Sequence, residues 1–299
     1  MLTDGADYVT GAVKLGRSIH AHTTVPLDLV VMELKSKPLS KPAWKLLRSA
    51  GWQRCVVERI APLDEEGTFG RFRDQFTKLH AWGMTIYKTL LYLDSDTLVL
   101  HSIDNLLRVD LGAKKLGVAR DFGAGKWRPT FNMGVFLIHP NRTEYKRLRR
   151  LQLDPSITFN HGMCEQGFLN VIYKNQWHDI GFVNNANLAI YSQKRSFWDE
   201  HVSRVNIVHY TMSKPWKCSH EYATPCSWWG TECDWSAPYH EQHVDYVMCQ
   251  IDDIAESGDC NAPDVSGPCW EAFLRKNADE RLYCRQNHCS TREKCARCL

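Results

Sequence analysis

The chain has 299 residues, of which 43% are hydrophobic and 24% are charged, and its formal net charge is only +3. This composition is typical of a folded protein that can bury a core without help from disulfides. The small net charge argues against a nucleic-acid partner or a membrane surface. No segment reaches the roughly 20 consecutive apolar residues that are needed to span a bilayer.

The N-terminal segment does not have the pattern of a secretory signal. Asp4, Asp7, Lys14 and Arg17 interrupt the apolar run that such a signal requires. The opening Met-Leu-Thr-Asp instead has the pattern of the last residues of a strand. We therefore expect that the sequence lacks an N-terminal piece and any targeting signal carried by it.

Helical and strand patterns alternate along residues 1–217. In chain order, the predicted elements are a helix at 6–20, strands at 27–32 and 55–60, a helix at 79–87, strands at 89–93, 116–119 and 134–138, helices at 143–153 and 165–173, and a strand at 205–210. Such alternation predicts an α/β domain of the Rossmann-like class. Its central sheet should be mostly parallel, with helices on both faces.

The sequence changes character near residue 217, where we place a domain boundary. Two of the twelve cysteines precede it, and the other ten crowd into residues 218–299. This density predicts a small disulfide-stapled module in an oxidising compartment. Zinc is the alternative, because Cys295 and Cys298 have ligand spacing, but no second CxxC pair completes a four-thiolate site.

The sharpest motif follows the predicted strand at 89–93. Asp94 and Asp96 stand two residues apart, and in extended backbone both carboxylates would project to the same side. Paired carboxylates at the carboxyl end of a parallel strand suit a hard divalent cation, at the edge where open α/β sheets bind nucleotides. The alternative is a structural role for both aspartates as cap or turn residues.

Two further polar residues accompany the predicted strand at 205–210. His209, near its end, is a candidate third metal ligand, and Lys214 is a candidate for neutralising a leaving phosphate. The alternative for His209 is a half-buried histidine with a purely structural role.

These residues belong to a series of six ordered segments. The segments are residues 2–8, residues 76–82, the Asp94/Asp96 pair, residues 131–136, residues 165–170 and residues 209–216. In this order they resemble the glycogenin-type retaining glycosyltransferases, which include galactinol synthases and bacterial lipopolysaccharide galactosyltransferases. The resemblance covers residues 1–217 and implies a nucleotide-diphospho-sugar transferase fold.

The resemblance also implies a role for each matching residue. Asp94, Asp96 and His209 correspond to ligands of Mn²⁺. Contacts to a UDP-sugar donor correspond to Leu2, Thr3 and Tyr8 at the uracil, to Lys78, Asp121, Asn132, Gly134, Glu165 and Gln166 around the sugar, and to Lys214 at the phosphates. Of these, Glu165, Gln166 and Asp121 form the expected catalytic group. Mn²⁺ and Lys214 would stabilise the charge that grows on UDP as the glycosidic bond breaks.

The sequence departs from the glycogenin pattern at three places. Glu165 stands where glycogenins usually have aspartate, Gly5 replaces an asparagine, and the loop at 209–214 lacks a glycine and is one residue shorter. Tyr191 aligns with the segment of the self-glucosylated tyrosine of glycogenin. The alternative for Tyr191 is a half-buried tyrosine without a role in transfer.

The sequence therefore predicts a Mn²⁺-dependent, retaining transfer of a hexose or pentose from a UDP-sugar to a hydroxyl on a carbohydrate, polyol or protein. One alternative is a glycogenin-like primer that glucosylates its own Tyr191, which would involve a homodimer. Another is a catalytically degenerate carbohydrate-binding or scaffold protein. The cysteine-rich module favours the secretory pathway, with the Golgi lumen as the expected site and the cytoplasm as the alternative.

We predict at least three disulfides among the ten cysteines between Cys218 and Cys298, and few free thiols there. Peptide mapping by mass spectrometry under non-reducing conditions measures both quantities, with the reduced and alkylated protein as the control. Ten free thiols in a zinc-free protein would contradict both the disulfide module and the secretory assignment.

Overall fold

The computed structural model describes residues 6–212 and residue 214. The α-helices in this part of the chain are α1 (Ala6–His22), α2 (Lys41–Ser49), α3 (Asp104–Leu107), α4 (Arg142–Gln152), α5 (Cys164–Ile172), α6 (Leu188–Gln193) and α7 (Arg195–His201). The β-strands are β1 (Leu29–Leu34), β2 (Trp52–Val57), β3 (Leu90–Leu93), β4 (Thr97–Val99), β5 (Leu116–Gly123), β6 (Lys126–Ile138), β7 (Trp177–Asp179), β8 (Ala186–Asn187) and β9 (Ile207–His209). The predicted boundary near residue 217 and the module at 218–299 lie outside the described residues and stay predictions.

The described strands form three sheets. β1 and β2 pair alone, β3-β6-β5-β7 form a four-stranded sheet, and β4-β9-β8 form a three-stranded sheet. Three pairings are parallel, namely β1–β2, β5–β7 and β8–β9. Three are antiparallel, namely β3–β6, β5–β6 and β4–β9. The predicted mostly parallel central sheet is therefore wrong, and the fold is mixed α/β.

A tight hairpin between β5 and β6 explains much of this difference. Its two central residues, Ala124 and Gly125, both have positive φ angles, of 49° and 72°. This backbone matches the twist of antiparallel strands and reverses the chain within two residues. The sequence pattern predicted only residues 134–138 as a strand there, whereas β6 extends over thirteen residues. The hairpin was thus missed together with the first half of β6.

Most predicted helices are confirmed. The patterns at 6–20, 143–153 and 165–173 correspond to α1, α4 and α5. Asn141 caps α4, because its side-chain oxygen accepts the backbone N–H of Glu144 at 3.0 Å. The predicted helix at 79–87 is wrong, since a 3₁₀ helix spans Gln75–Gly83 and ends there. Ile86 beyond it is 86% exposed, so the apolar spacing does not mark a buried face.

An aromatic stack anchors the strand that leads into the Asp94/Asp96 motif. Tyr92 of β3 stacks on Phe136 of β6 with ring centroids 4.6 Å apart, and Trp82 stacks on the same ring at 5.2 Å. All three side chains belong to the buried core. Burying aromatic rings contributes roughly 2–3 kcal/mol each, so this stack fixes the end of β3 firmly against β6.

A cavity of about 550 Å³ adjoins the Asp94/Asp96 turn, since Tyr92, Leu93 and Ser95 are among its lining residues. It is bordered by α1, β1 and β3 and is lined largely by apolar side chains, including Leu15, Val31 and Leu91. Among the described residues, none of the helices is both long and apolar enough to cross a bilayer.

Candidate active site

A turn brings the two aspartates together. The backbone N–H and the hydroxyl of Thr97 both donate to the carbonyl of Asp94, at 3.0 and 2.7 Å. Asp94 to Thr97 is therefore a hydrogen-bonded turn between β3 and β4. The extended geometry expected from the sequence is wrong, and so is the parallel strand, because β3 pairs antiparallel with β6. The carboxylates nevertheless converge, because the turn wraps them around a common point.

His209 completes a cluster of three potential metal ligands. It ends β9 and lies opposite Thr97 of β4 in the antiparallel register. One ligand atom from each of Asp94, Asp96 and His209 lies within 4.8 Å of the others. Asp96 and His209 are only 7% and 4% exposed, whereas Asp94 is half-buried. Two carboxylate oxygens and one imidazole nitrogen at these distances fit a divalent cation.

Lys214 and His209 flank the buried carboxylate of Asp96. The Lys214 ammonium bonds to Asp96 Oδ2, and His209 Nε2 lies 3.5 Å from Asp96 Oδ1. Burial alone would raise the pKa of Asp96, but attraction to His209 and Lys214 outweighs burial and holds this pKa below its ordinary value. Asp96 is therefore ionised over the whole physiological pH range, as a metal ligand must be.

A buried lysine links the aspartates to Glu165. Lys78 is 3% exposed, and its ammonium lies 3.1 Å from both Asp94 Oδ1 and Glu165 Oε1. Burial disfavours its charge, but the two carboxylates outweigh burial and raise the pKa of Lys78 well above its usual range. Burial also raises the pKa of Glu165, against the opposing attraction of Lys78. The Lys78 ammonium thus holds the Glu165 carboxylate beside the candidate metal ligands.

Gly134 makes room for the imidazole of His209. A Cβ atom at position 134 would lie 2.0 Å from Cε1 of that ring and 2.6 Å from Nδ1. Such contacts are far inside van der Waals distance, so any larger residue would displace the ring. The resemblance placed Gly134 at the donor sugar, and the structure adds a steric reason for glycine there.

Amide side chains connect His209 to the rest of the candidate site. Asn185 Nδ2 donates to Asn132 Oδ1 at 3.0 Å, and Asn185 Oδ1 lies 2.9 Å from His209 Nδ1. Asn132 also bonds to Asp121. Burial raises the pKa of Asp121, although the hydrogen bond with Asn132 acts in the opposite direction. Gln166 donates to Asp121 at 3.4 Å and accepts the backbone N–H of Met133 at 3.1 Å. One polar network therefore joins the two ends of the site.

This network contains most of the residues that the sequence singled out. They are Lys78, Asp94, Asp96, Asp121, Asn132, Glu165, Gln166, His209 and Lys214, with Gly134 beneath the histidine ring. Leu2 and Thr3 lie outside the described residues, and Tyr8 is exposed on α1. Tyr191 is buried in a hydrophobic cluster with Trp198.

Sequence reasoning missed two members of the network. Tyr92 donates its hydroxyl to Asp94 Oδ1 at 3.2 Å, and Asn185 bridges Asn132 and His209. Tyr92 had a visible signal, since it lies two residues before Asp94 within the predicted strand. The signal for Asn185 was weaker. It is one of three asparagines in four residues just before a short helix.

Comparisons with known proteins identify the family of the chain. Residues 2–219 match Glycosyl transferase family 8. Glycogenin-1 of Caenorhabditis elegans is 35% identical over 230 residues, which cover 72% of this chain and 49% of the relative. Galactinol synthase 1 of Ajuga reptans is 28% identical over 251 residues, which cover 72% of each chain.

Solved structures share the fold. The galactosyltransferase LgtC, in complex with donor and acceptor sugar analogues, aligns with a TM-score of 0.52 and 18% identity over 90% of this chain and 96% of its own. The glycosyltransferase GlyE of Streptococcus pneumoniae TIGR4 aligns with a TM-score of 0.54 and 20% identity over 82% of this chain and 61% of its own.

The extent of these matches matters for function. The chain spans 49% of the nematode glycogenin and 36% of UDP-glucuronate:xylan alpha-glucuronosyltransferase 2 of Arabidopsis thaliana, to which it is 26% identical over 230 residues. The matched part nevertheless includes the whole of the polar network described above. These findings confirm the resemblance seen in the sequence: the chain belongs to glycosyl transferase family 8.

Proposed function

We propose that the protein transfers a hexose or pentose from a UDP-sugar to a hydroxyl acceptor, with retention of configuration and with Mn²⁺ as its metal. The observation that carries this proposal is the cluster of Asp94, Asp96 and His209, whose ligand atoms lie within 4.8 Å of one another. A divalent cation beside buried carboxylates and lysines would stabilise the charge that develops on the leaving diphosphate when a nucleoside-diphosphate donor reacts.

The donor set favours Mn²⁺ over Mg²⁺. Two carboxylates suit any hard cation, but Mg²⁺ seldom takes an imidazole ligand, whereas Mn²⁺ accepts a mixture of oxygen and nitrogen. When bound to Asp94, Asp96 and His209, such a cation would neutralise charge on the diphosphate leaving group.

The remaining roles in the proposed reaction fall to a lysine at the diphosphate and to two carboxylates at the sugar. Lys214 contacts Asp96 of the metal cluster from the segment after β9, and its ammonium would donate a charge-assisted hydrogen bond to a diphosphate oxygen. In this proposal, Glu165 and Asp121 accept hydrogen bonds from sugar hydroxyls and stabilise positive charge at the anomeric carbon. Gln166 orients Asp121 through its amide and is itself fixed by β6.

The names of the relatives support a UDP-sugar donor and leave the sugar open. The plant relative is named as a UDP-glucuronate-dependent xylan glucuronosyltransferase, and others are named glycogenin and galactinol synthase. These names span several sugars and several kinds of acceptor. We therefore propose a hydroxyl acceptor on a carbohydrate, a polyol or a protein, and retention by analogy with the glycogenin-type enzymes.

The structure disfavours the self-glucosylating alternative. Tyr191 is 5% exposed in α6, packs edge-on against Trp198 at 5.4 Å, and lies beneath the guanidinium of Arg195 at 4.3 Å. Its hydroxyl would have to leave this packing to attack an anomeric carbon, since attack needs an approach of about 3 Å. A degenerate scaffold is also disfavoured, because the three candidate metal ligands are all present and convergent.

We propose the lumen of the secretory pathway, in particular the Golgi, as the site of action. The support is the crowding of ten cysteines into residues 218–299. Cys55 and Cys164, in the described part of the chain, are free thiols, and burial raises the pKa of both. A thiol with a raised pKa reacts slowly, so both cysteines can persist reduced in such a compartment.

The metal assignment predicts a large effect of Asp96→Ala. Turnover of UDP-sugars with Mn²⁺ should fall by about 10³-fold or more, because the cation would lose a buried ligand that supplies several kcal/mol. Release of UDP from a panel of UDP-sugars, with Mn²⁺ and with chelator, measures this. Asp110→Ala, at an exposed turn, is the matched control. Near-normal Mn²⁺-dependent turnover in Asp96→Ala would refute the assignment.

The steric argument at Gly134 predicts that one methyl group disrupts metal binding. Gly134→Ala should weaken Mn²⁺ binding by roughly tenfold or more, because the added Cβ displaces the His209 ring. The EPR signal of free Mn²⁺ during titration gives the affinity. Gly123→Ala is the control, because the nearest atom to its Cβ would be Arg128 Nε at 3.7 Å. Equal affinities in the two variants would contradict the argument.

A further prediction separates transfer to external acceptors from self-glucosylation. Tyr191→Phe should keep most transfer, because it retains the ring that packs on Trp198. The wild-type protein should gain no oligoglucose on Tyr191. Intact-mass measurement after incubation with UDP-glucose and Mn²⁺ decides. A ladder of hexose additions that disappears in Tyr191→Phe would instead favour the glycogenin-like alternative.

A further inference from the structure

Asn185 lies at the centre of the polar network, between the candidate metal ligand His209 and the strand β6. It precedes β8, and its backbone N–H donates to the carbonyl of Phe182 at 3.0 Å. β8 pairs in parallel with β9, where Asn187 lies opposite His209. Asn185 therefore directly precedes the strand that pairs with β9, and this backbone pairing sets its position relative to His209.

The hydrogen bonds around Asn185 have a defined direction that starts at the backbone. The N–H of Gly134 points at Oδ1 of Asn132 at 2.9 Å, and because a backbone N–H can only donate, the Asn132 atom must be the oxygen. The same oxygen receives Asn185 Nδ2 at 3.0 Å. Since an amide oxygen only accepts, Asn185 must present its NH₂ group to Asn132.

This direction leaves the oxygen of Asn185 facing the histidine. Asn185 Oδ1 lies 2.9 Å from His209 Nδ1, so the proton of the neutral imidazole must lie on Nδ1. The lone pair then lies on Nε2, which is the ring nitrogen on the side of Asp96, 3.5 Å from its Oδ1. The opposite tautomer would set two lone pairs against each other at 2.9 Å.

Burial makes this preference strong. Asn185 is 3% exposed and His209 is 4% exposed, so water cannot easily replace a mismatched hydrogen bond. We infer that Asn185 is a positioning residue, which fixes His209 in the tautomer whose Nε2 lone pair can bind the metal cation. The inference rests on the proposed metal role of His209, and it adds a function for Gly134, whose N–H orients the chain of amides.

Three variants separate this role from simple packing. Asn185→Leu removes both hydrogen bonds at similar size. Asn185→Asp keeps an acceptor for the His209 Nδ1–H but loses the donor to Asn132. Asn184→Leu is the matched control, since Asn184 bonds to Ile180 and Asn206 in the same segment. Thermal unfolding of each variant reports how far the fold tolerates the change.

The first measurement reports the tautomer without any metal. The full chain is labelled with ¹⁵N-histidine, and the imidazole signals are recorded near pH 8, with His209→Gln to assign the resonances. We expect the wild type and Asn184→Leu to show His209 protonated on Nδ1. Asn185→Leu should show a mixture or the Nε2–H form, and Asn185→Asp should restore the Nδ1–H form.

The second measurement is Mn²⁺ affinity, from the EPR signal of the free ion. Asn185→Leu should bind Mn²⁺ about 10–100-fold more weakly than the wild type, as losses of a ligand's hydrogen-bond partner commonly do. Asn185→Asp should regain most of that loss, and Asn184→Leu should match the wild type.

The outcomes distinguish this inference from the proposed function. An Nε2–H tautomer in the wild type would overturn the inference, and so would a pure Nδ1–H form with unchanged Mn²⁺ affinity in Asn185→Leu. If Asn185→Leu does not fold, the wild-type tautomer and Asn185→Asp still decide. A wild type that shows Nδ1–H but binds no Mn²⁺ would contradict the proposed metal site and leave the tautomer assignment standing.

Discussion

The site depends on one backbone hydrogen bond, which the N–H of Asp94 donates to the carbonyl of Gly134 at 2.8 Å. It extends the pairing of β3 with β6 by one step and ties the start of the aspartate turn to the one strand position that leaves space for an imidazole ring. The turn then sends the chain into β4, where Thr97 pairs with His209. Two sheets are thereby held in a fixed relation, and three ligands that lie far apart in the sequence meet. A shift in the register of β3 against β6 at this point would therefore move all three candidate ligands together.

Charge balance explains how so many ionised groups remain buried together. Asp94, Asp96 and Glu165 bring three negative charges into a region of low accessibility, and Lys78 and Lys214 bring two positive charges. An unpaired buried carboxylate would cost several kcal/mol, so each one here has a cationic partner within hydrogen-bond distance. The pairing of these five groups leaves one net negative charge before Asp121 and His209 are counted. Such a residual charge favours a divalent cation, whereas a neutral set would gain little from one.

The sequence predicted the site better than it predicted the sheet, for a physical reason. The Asp94/Asp96 motif and the helix periodicity of α1, α4 and α5 involve residues that are close together in the sequence, so the sequence pattern could predict both. Strand direction depends on connections, and the reversal at Ala124 and Gly125 is a two-residue feature without the usual Asn-Gly signal. Asn185 was the hardest to foresee. Its partners lie 53 and 24 residues away, so its role exists only once β6, β8 and β9 have assembled.

The pKa shifts within the network divide its carboxylates into two groups. Asp96 lies among positive groups that outweigh its burial and lower its pKa, whereas burial dominates at Glu165 and Asp121 and raises theirs. A metal ligand must be ionised at all times, which fits the first environment. A carboxylate that would hold sugar hydroxyls fits the second, because a poorly solvated anion gains most when further positive charge develops beside it. In the proposed reaction, Asp96 would supply permanent charge beside the diphosphate, and Glu165 and Asp121 would supply charge that becomes effective as the sugar turns cationic, so the environment of each carboxylate sets its role.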